Sequence, residues 1–300
     1  MIETAGMPNL LVVCHPNDRF MTGSYVLHAM LLALKGTGIG MKVQRHWDER
    51  PPADLVIPHI DLTLWPKSLT DFLAHYPNVV NRQVTDISKR RISRQLVRPG
   101  DSWRGPVIVK TDMNYGGIVD RRHTRREAKD TSVAPTAVVP AMVTPETRPF
   151  HIGKYGLFAT IAAVPKIVWD DPSLIVERYH AERKGDLYGV RQLFLVGETY
   201  AVRQAWGPNP MVKGDSTVER YWLDDPPPPE VLDIVRAQGV EFGKIDYTVV
   251  DGRAFVFDIA RTPTGTKWIK SNPDVIRHLC QGITPLLARQ RDRQALETTP

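Results

Sequence analysis

Lysines and carboxylates set at the ends of apolar strands are the residues of this sequence best placed to do chemistry. Val107-Ile108-Val109 is a β-branched run ending on Lys110, with Asn114-Tyr115-Gly116-Gly117 a few residues on. A lysine held at a strand end can act as a point charge on a phosphate, and a glycine loop lets backbone N–H groups approach phosphate oxygens. Taken alone, the two also read as a snorkelling lysine and an ordinary turn. Leu174-Ile175-Val176 is a second apolar run, stopping at Glu177-Arg178-Tyr179 with Asp186 just beyond. A strand there with an exposed backbone edge can meet a purine, and nearby carboxylates can take sugar hydroxyls. Singly, Glu177 and Asp186 read as solvated surface acids.

The most informative segment runs from Gly243 to Asp258, two alternating strands around an Asp-Gly turn. Ile245, Tyr247 and Val249 share one face, as do Phe255, Phe257 and Ile259, and both sets are expected to pack inward. Asp246 and Asp258 then project from the other side of each strand. Their even separation in sequence lets them share a sheet face only with an odd-length loop or a bulge. Val250-Asp251-Gly252, with Gly252 left-handed, is expected to supply it. Mg²⁺ prefers octahedral oxygen ligation by one or two carboxylates, with phosphates and water completing the shell. Two acids on the wet face of a hairpin are the plainer reading of the same pair.

The elements that must position these residues follow from periodicity. Leu10 to Val13 reads as a buried strand, Thr22 to Leu34 as a helix stopped by Gly36, Met41 to His46 and Asp54 to His59 as strands, Trp65 to His75 as a helix and Asn78 to Asn81 as a strand. That α/β alternation predicts a Rossmann-like N-terminal domain over residues 1–85. A connecting helix and linker over 86–105, with Asp86 to Val97 helical, ends at Arg98-Pro99-Gly100-Asp101. Strands follow at Val107 to Lys110, Leu174 to Glu177, Arg191 to Val196 and Thr199 to Arg203, then a helix carrying Val231, Ile234 and Val235, the hairpin, and a C-terminal helix. Tyr155 to Ala163 is open between helix and strand. Gly36-Thr37-Gly38-Ile39-Gly40 follows a helix and precedes a strand, the reverse of what phosphate binding at a helix N-terminus requires.

Composition excludes more than it identifies. Charged residues make up 24% of the 300 and hydrophobic ones 42%, which argues against disorder, collagen and rods. The two cysteines, Cys14 and Cys280, are too few for a disulfide framework or a paired zinc site and predict a cytoplasmic protein. No apolar stretch reaches the roughly 20 residues a membrane span needs. A net charge of +6 suits an anionic partner. Arg121-Arg122-His123-Thr124-Arg125-Arg126 could grip nucleic acid or an acidic substrate, but it lacks the interleaved aromatics of a nucleic-acid surface and is expected to be a solvated flap.

In its order of motifs the chain resembles the ATP-grasp superfamily, and especially the ribosomal-protein glutamate ligases, from about Lys89 to Pro263. The resemblance implies a two-lobed ATP-grasp domain over 106–285, with a flap lobe at 106–173, a metal-binding lobe at 174–285 and a tail at 286–300. It implies that Lys89 and Lys110 meet the nucleotide phosphates, that the loop with Gly116 and Gly117 covers them, and that Glu177-Arg178-Tyr179 is the adenine hinge. It further places an acid at Asp186 and an arginine at Arg191 after the hinge. Arg203 would meet phosphate or acyl-phosphate oxygen, Asp246 and Asp258 would bind Mg²⁺, and Arg261-Thr262-Pro263 would form the turn beyond. Ala260 departs from the pattern, standing where most members carry a metal-ligating asparagine.

The implied activity is ATP- and Mg²⁺-dependent ligation of a small-molecule or peptide carboxylate to an amine through an acyl phosphate. Arg203, helped by Arg191 or Arg261, would stabilise the oxyanion. A noncatalytic ATP-binding protein and an ATP-grasp phosphotransferase are the alternatives. A membrane partner is not expected, nucleic acid is disfavoured, and a homo-oligomer is left open.

Overall fold

A computed structural model of the chain describes residues 7–18, 20–22, 24–127, 146–150, 155–265, 268 and 271–289. The first strands are β1 (Asn9–Cys14), β2 (Gly40–Gln44) and β3 (Leu55–His59), which form a parallel sheet in the order β2-β1-β3. Helices α1 (Val26–Ala33) and α2 (Lys67–Leu73) lie between and after them. Every residue of β3 is buried, as a strand packed on both faces requires. The strand expected at 78–81 is only a bridge, Val79 to Val56, because Asn81 turns the chain with φ 57°. Asn81 instead binds the far half of the molecule. Its Oδ1 accepts from the N–H groups of Glu241 and Phe242 at 2.8 and 3.1 Å, and its Nδ2 donates to Phe242 O at 2.7 Å.

The helix expected over 86–97 shrinks to α3 (Lys89–Ile92). Residues 95–97 are drawn into the edge of a strand instead, with Leu96 bridged to Glu177 and Val97 N–H donating to Val176 O at 3.0 Å. That strand is β6 (Leu174–Arg178), which with β4 (Val107–Thr111) and β5 (Gly156–Phe158) makes a second, antiparallel sheet in the order β5-β4-β6. Tyr155 to Ala163 is therefore a short strand followed by a turn. Helix α4 (Ile118–Glu127) holds the basic stretch, and α5 (Lys166–Asp170) leads into β6.

A third, antiparallel sheet runs β10 (Glu219–Leu223), β9 (Thr199–Gly207), β8 (Leu187–Val196), β11 (Phe242–Val250) and β12 (Arg253–Ala260), with β7 (Glu182–Lys184) paired to β8. Helix α6 (Pro229–Gln238) covers one face, burying Val231, Ile234 and Val235 against Leu193, Leu195, Ile245 and Tyr247. The other face shares a core with the N-terminal sheet and with α7 (Pro273–Cys280), where Phe194, Val196 and Phe242 pack with Leu10, Val12, Leu27, Leu279 and Ile283. The first 85 residues thus do not bury their core alone. Leu286 and Leu287 also lie in this core, so the chain remains packed beyond residue 285, and residues 290–300 of the expected tail lie outside the described residues. Among the described residues no helix is long and apolar enough to cross a membrane.

Candidate functional site: a lysine and carboxylate cleft

In the β5-β4-β6 sheet, Val107 and Val109 pack into a core with Leu174 and Val176, so alternation turns Ile108 and Lys110 to the opposite face. Ile108 pairs with Glu177 across the ladder, which makes Lys110 and Glu177 diagonal neighbours on that face. Their side chains meet at 2.5 Å, and both residues are buried. Lys110 Nζ also reaches Phe257 O of β12 at 3.5 Å. Lys89, at the start of α3, donates to Met113 O at 3.2 Å and lies 3.6 Å from Asp258 Oδ1. Two buried ammonium groups from separate elements therefore converge on one strand of the third sheet.

On that sheet Asp246 stands directly opposite Asp258, so the two carboxylates share a face. The turn does not arrange this. Asp251 and Gly252, with φ 50° and 73°, form a strict two-residue turn between paired Val250 and Arg253. The register instead shifts between Asp246 and Tyr247: Asp246 pairs with Asp258, Tyr247 with Val256, and Phe257 is the extra residue. Below the bulge the inward face is Val256 with Tyr247, and Phe255 lies outside the core, stacked on His180 at 3.6 Å. The expectation that Phe255 and Phe257 pack inward with Ile259 fails for this reason.

The same ladder row continues through Gln192 and Arg203 to Trp222. Arg203 Nε donates to Gln192 Oε1 at 3.0 Å, and Gln192 Nε2 donates to Asp246 Oδ1 at 3.1 Å. Trp268 lies 4.8 Å from the Arg203 guanidinium. Burial pulls that guanidinium below its usual range, Arg220 adds to the effect, and Asp246 opposes it. Arg203 Nη1 is buried with no hydrogen-bond acceptor among the described residues.

Other expected site residues lie elsewhere. Arg191 follows the alternation to the opposite face, beside Tyr247, where Glu182 holds it at 2.8 Å. Arg261 is fully buried between the carbonyls of Val84, Leu62 and Thr63 and over the Trp65 ring at 4.6 Å, a strut rather than a group open to substrate. Asp186 is exposed at the tip of the β7–β8 hairpin. Nor does β6 present a free backbone edge. Arg178 N–H donates to Gln95 O at 2.8 Å and Tyr179 N–H to Pro106 O at 2.9 Å.

The glycine loop is a tight turn in which Tyr115, Gly116 and Gly117 all have positive φ, 46°, 65° and 66°. A Cβ at Gly117 would stand 3.0 Å from Met113 Sδ and 3.1 Å from Arg121 Nη1, so this position needs glycine for both conformation and space. Asn114 N–H donates to Thr63 Oγ1 at 3.0 Å, pinning the loop to the N-terminal sheet's connection. The basic stretch that follows is helical. Asp120 and His123 of α4 are buried and the Asp120 carboxylate accepts from Thr63 N–H and Oγ1 at 2.9 and 3.0 Å, which anchors the start of the helix, while Arg122 is exposed and the side chains of 124–127 lie outside those described.

Solved structures similar to this chain in fold include two ligases. D-alanine–D-alanine ligase from Bacillus anthracis complexed with ATP superposes with a TM-score of 0.51 at 11% identity, over 96% of this chain and 99% of that one. The ATP-grasp ligase PsnB complexed with minimal precursor gives 0.50 at 11% identity, over 93% and 99%. The chain has the ATP-grasp fold. A RimK domain ATP-grasp protein from Sphaerobacter thermophilus gives 0.47 at 12% identity, over 91% and 99%. No family model matches the chain, and no curated protein matches it in sequence.

Within this ATP-grasp frame the residues present suit a nucleotide with a divalent cation. Asp258 Oδ1 is buried with no hydrogen bond among the described residues, an oxygen left for a ligand. No cluster of three His, Cys, Asp or Glu side chains fit to hold a metal occurs among the described residues. A cation on Asp258 therefore needs phosphate oxygens to fill its shell, as Mg²⁺ does with ATP. Three side chains coupled to these acids had no signal in the ordering of motifs: Gln192, Lys244, whose Nζ lies 2.7 Å from Asp246 Oδ2, and Tyr155. Burial raises the Tyr155 phenol, and the charges of Asp258, Asp246 and Glu177 raise it further. Period-two alternation from Asp246 would have flagged Lys244.

Proposed function

We propose that this ATP-grasp chain is an ATP- and Mg²⁺-dependent ligase that activates a carboxylate and joins it to an amine. The observation that carries this reading is the convergence of Lys110 and Lys89 on the face holding Asp246 and Asp258. The lysines would neutralise phosphate charge, and the face carrying Asp246 and Asp258 would hold Mg²⁺, which would supply further positive charge against the phosphates. Glu177 fixes the Lys110 ammonium so that it need not reorganise as charge moves. The turn at Gly116 and Gly117 and the start of α4 would supply backbone N–H groups to the phosphates.

Passage of the γ-phosphoryl group to a substrate carboxylate breaks the bond to the β-phosphate oxygen and leaves an acyl phosphate with ADP. Amine attack on its carbonyl then releases phosphate and forms the amide. Arg203, whose Nε and Nη2 are held by Gln192 and whose Nη1 is buried without a hydrogen bond among the described residues, would stabilise the developing oxyanion. Arg191 and Arg261 are left out of the chemistry by their buried partners. Glu177-Arg178-Tyr179 would border the adenine as the link between the two sheets.

Titrating ATP with Mg²⁺ tests the site. Saturation at about 100 times Kd should stabilise the parent by roughly 2.7 kcal/mol, and Lys110→Ala and Asp258→Ala should lose that increment. Hydroxylamine trapping across a carboxylate panel then tests the acyl phosphate. A parent that shows no nucleotide-dependent shift sinks the proposal. Ala260 favours a second reading, a nucleotide-binding protein without turnover, because it withdraws a neutral oxygen from the metal-binding row. Tight ATP binding with no ADP release, corrected by Ala260→Asn, is the result that would select it.

A further inference from the structure

Asp246 and Asp258 face each other across the ladder, yet their surroundings are unlike. Both oxygens of Asp246 are engaged, Oδ2 by Lys244 Nζ at 2.7 Å and Oδ1 by Gln192 Nε2 at 3.1 Å. Asp258 keeps a buried Oδ1 without a hydrogen bond, and the Lys89 ammonium stands off at 3.6 Å. Lys244 lies two residues before Asp246, on the same face and directly opposite Ala260. The methyl side chain of Ala260 reaches for no ligand, so the polar end of that row belongs to Lys244. Its side chain is 19% exposed and that of Asp246 14%, a sheltered pair rather than a surface one.

From this asymmetry we propose that the cleft takes a single divalent cation, seated on Asp258, and that Lys244 is the built-in positive charge that occupies Asp246 in place of a second metal ion. A lysine-paired carboxylate carries no net charge to offer a hard cation, and a second ion on Asp246 would sit within a few ångströms of the ammonium. Repulsion between them is strong in a partly dehydrated site. Asp258 carries both handicaps in weaker form, because its Oδ1 accepts no hydrogen bond among the described residues and the Lys89 ammonium stands at 3.6 Å where Lys244 lies 2.7 Å from Asp246. The inference rests on the nucleotide-binding reading above and names how that site balances triphosphate charge: one metal ion and three lysines, Lys89, Lys110 and Lys244.

Counting Mn²⁺ by electron paramagnetic resonance on the full chain, in the presence of adenylyl imidodiphosphate, tests it without turnover. The parent should bind one Mn²⁺ per chain. Asp258→Asn should lose it by about a hundred-fold or more in affinity, whereas Asp246→Asn should keep it within about ten-fold. Lys244→Gln should admit a second Mn²⁺. Two Mn²⁺ per parent chain, or equal losses in the two aspartate variants, overturn the inference while leaving a nucleotide site in place. Failure of the analogue itself to bind, measured by calorimetry with and without Mn²⁺, overturns the nucleotide reading and this inference together. The parent stoichiometry decides the matter even if the Lys244 variant does not fold.

Discussion

The Lys110–Glu177 pair concentrates the residue-scale energetics of the cleft. Both groups are buried, so each is tolerated only because the other is there. Lys110→Met should cost about 3–5 kcal/mol in urea denaturation by stranding Glu177, and Glu177→Gln added to it should recover most of that loss. A single variant as stable as the parent would show the pair to be wet. Asp61 makes a separate prediction. Burial, with Asp18 and Asp120 nearby, pushes its carboxyl up to about 6, against the pull of its hydrogen bond from Thr262 and of Arg261. Between about pH 4 and 6 the folded chain keeps a proton on Asp61 that the unfolded chain has released, so stability falls as pH rises through that window. Asp61→Asn should gain on the parent by up to about 1.4 kcal/mol per pH unit across it, read as denaturation midpoints over a pH series. An unchanged difference between the two proteins would contradict the assignment.

At the scale of the element, the hairpin β11–β12 decides whether two acids can act together. A regular ladder closed by Asp251-Gly252 would put Asp246 and Asp258 on opposite faces, and the extra residue Phe257 corrects it. Gly252 holds φ 73° at the turn, so Gly252→Val should destabilise the chain by about 1–2 kcal/mol. The turn lies several residues from Asp258, so the stabilising increment from saturating Mg-ATP should survive in that variant. Its loss would mean the turn, as well as the bulge, sets the register. Element types were largely legible from β-branched runs, as in Val107–Val109 and Leu174–Val176. What misled was competition: residues 95–97 have helical periodicity but find ladder partners on β6, and a short helix cannot outbid an unpaired strand edge.

Arg261 joins the halves of the molecule. It leaves β12 and donates to carbonyls at Leu62, Thr63 and Val84, on connections that follow β3 and precede α3. A lysine has the charge but not the fork, so Arg261→Lys should leave carbonyls unpaired and cost about 2–4 kcal/mol. The loss should appear in denaturation and should lower the affinity for ATP, because Thr63 also anchors Asn114 of the glycine loop. If Arg261→Lys unfolds as the parent does, the strut is dispensable. Asn81 makes the second such link, to β11, and the shared core of Leu10, Phe194 and Leu279 makes the third. Sheets that share a core in this way are expected to melt in one transition.

Chain order and residue type alone determined the ATP-grasp resemblance, most strands and helices, and three charged groups of the cleft, Lys110, Asp246 and Asp258, because each sits at the end or on the alternation of an apolar run; Lys89 came only from the resemblance. Tertiary structure decided which charges face one another. Both faces of the β8–β9–β11 region are covered, so alternation in Arg191 to Val196 cannot say which face is the cleft; packing sends Arg191 to Glu182 and Gln192 to Asp246. The αL turn at Asn81 is held by bonds to Glu241 and Phe242 on the far side of the sequence, whereas the one-residue bulge at Phe257 is decided by how β11 and β12 pair within their hairpin. A local pattern carries no record of such contacts, since their energy belongs to the pairing and not to either strand.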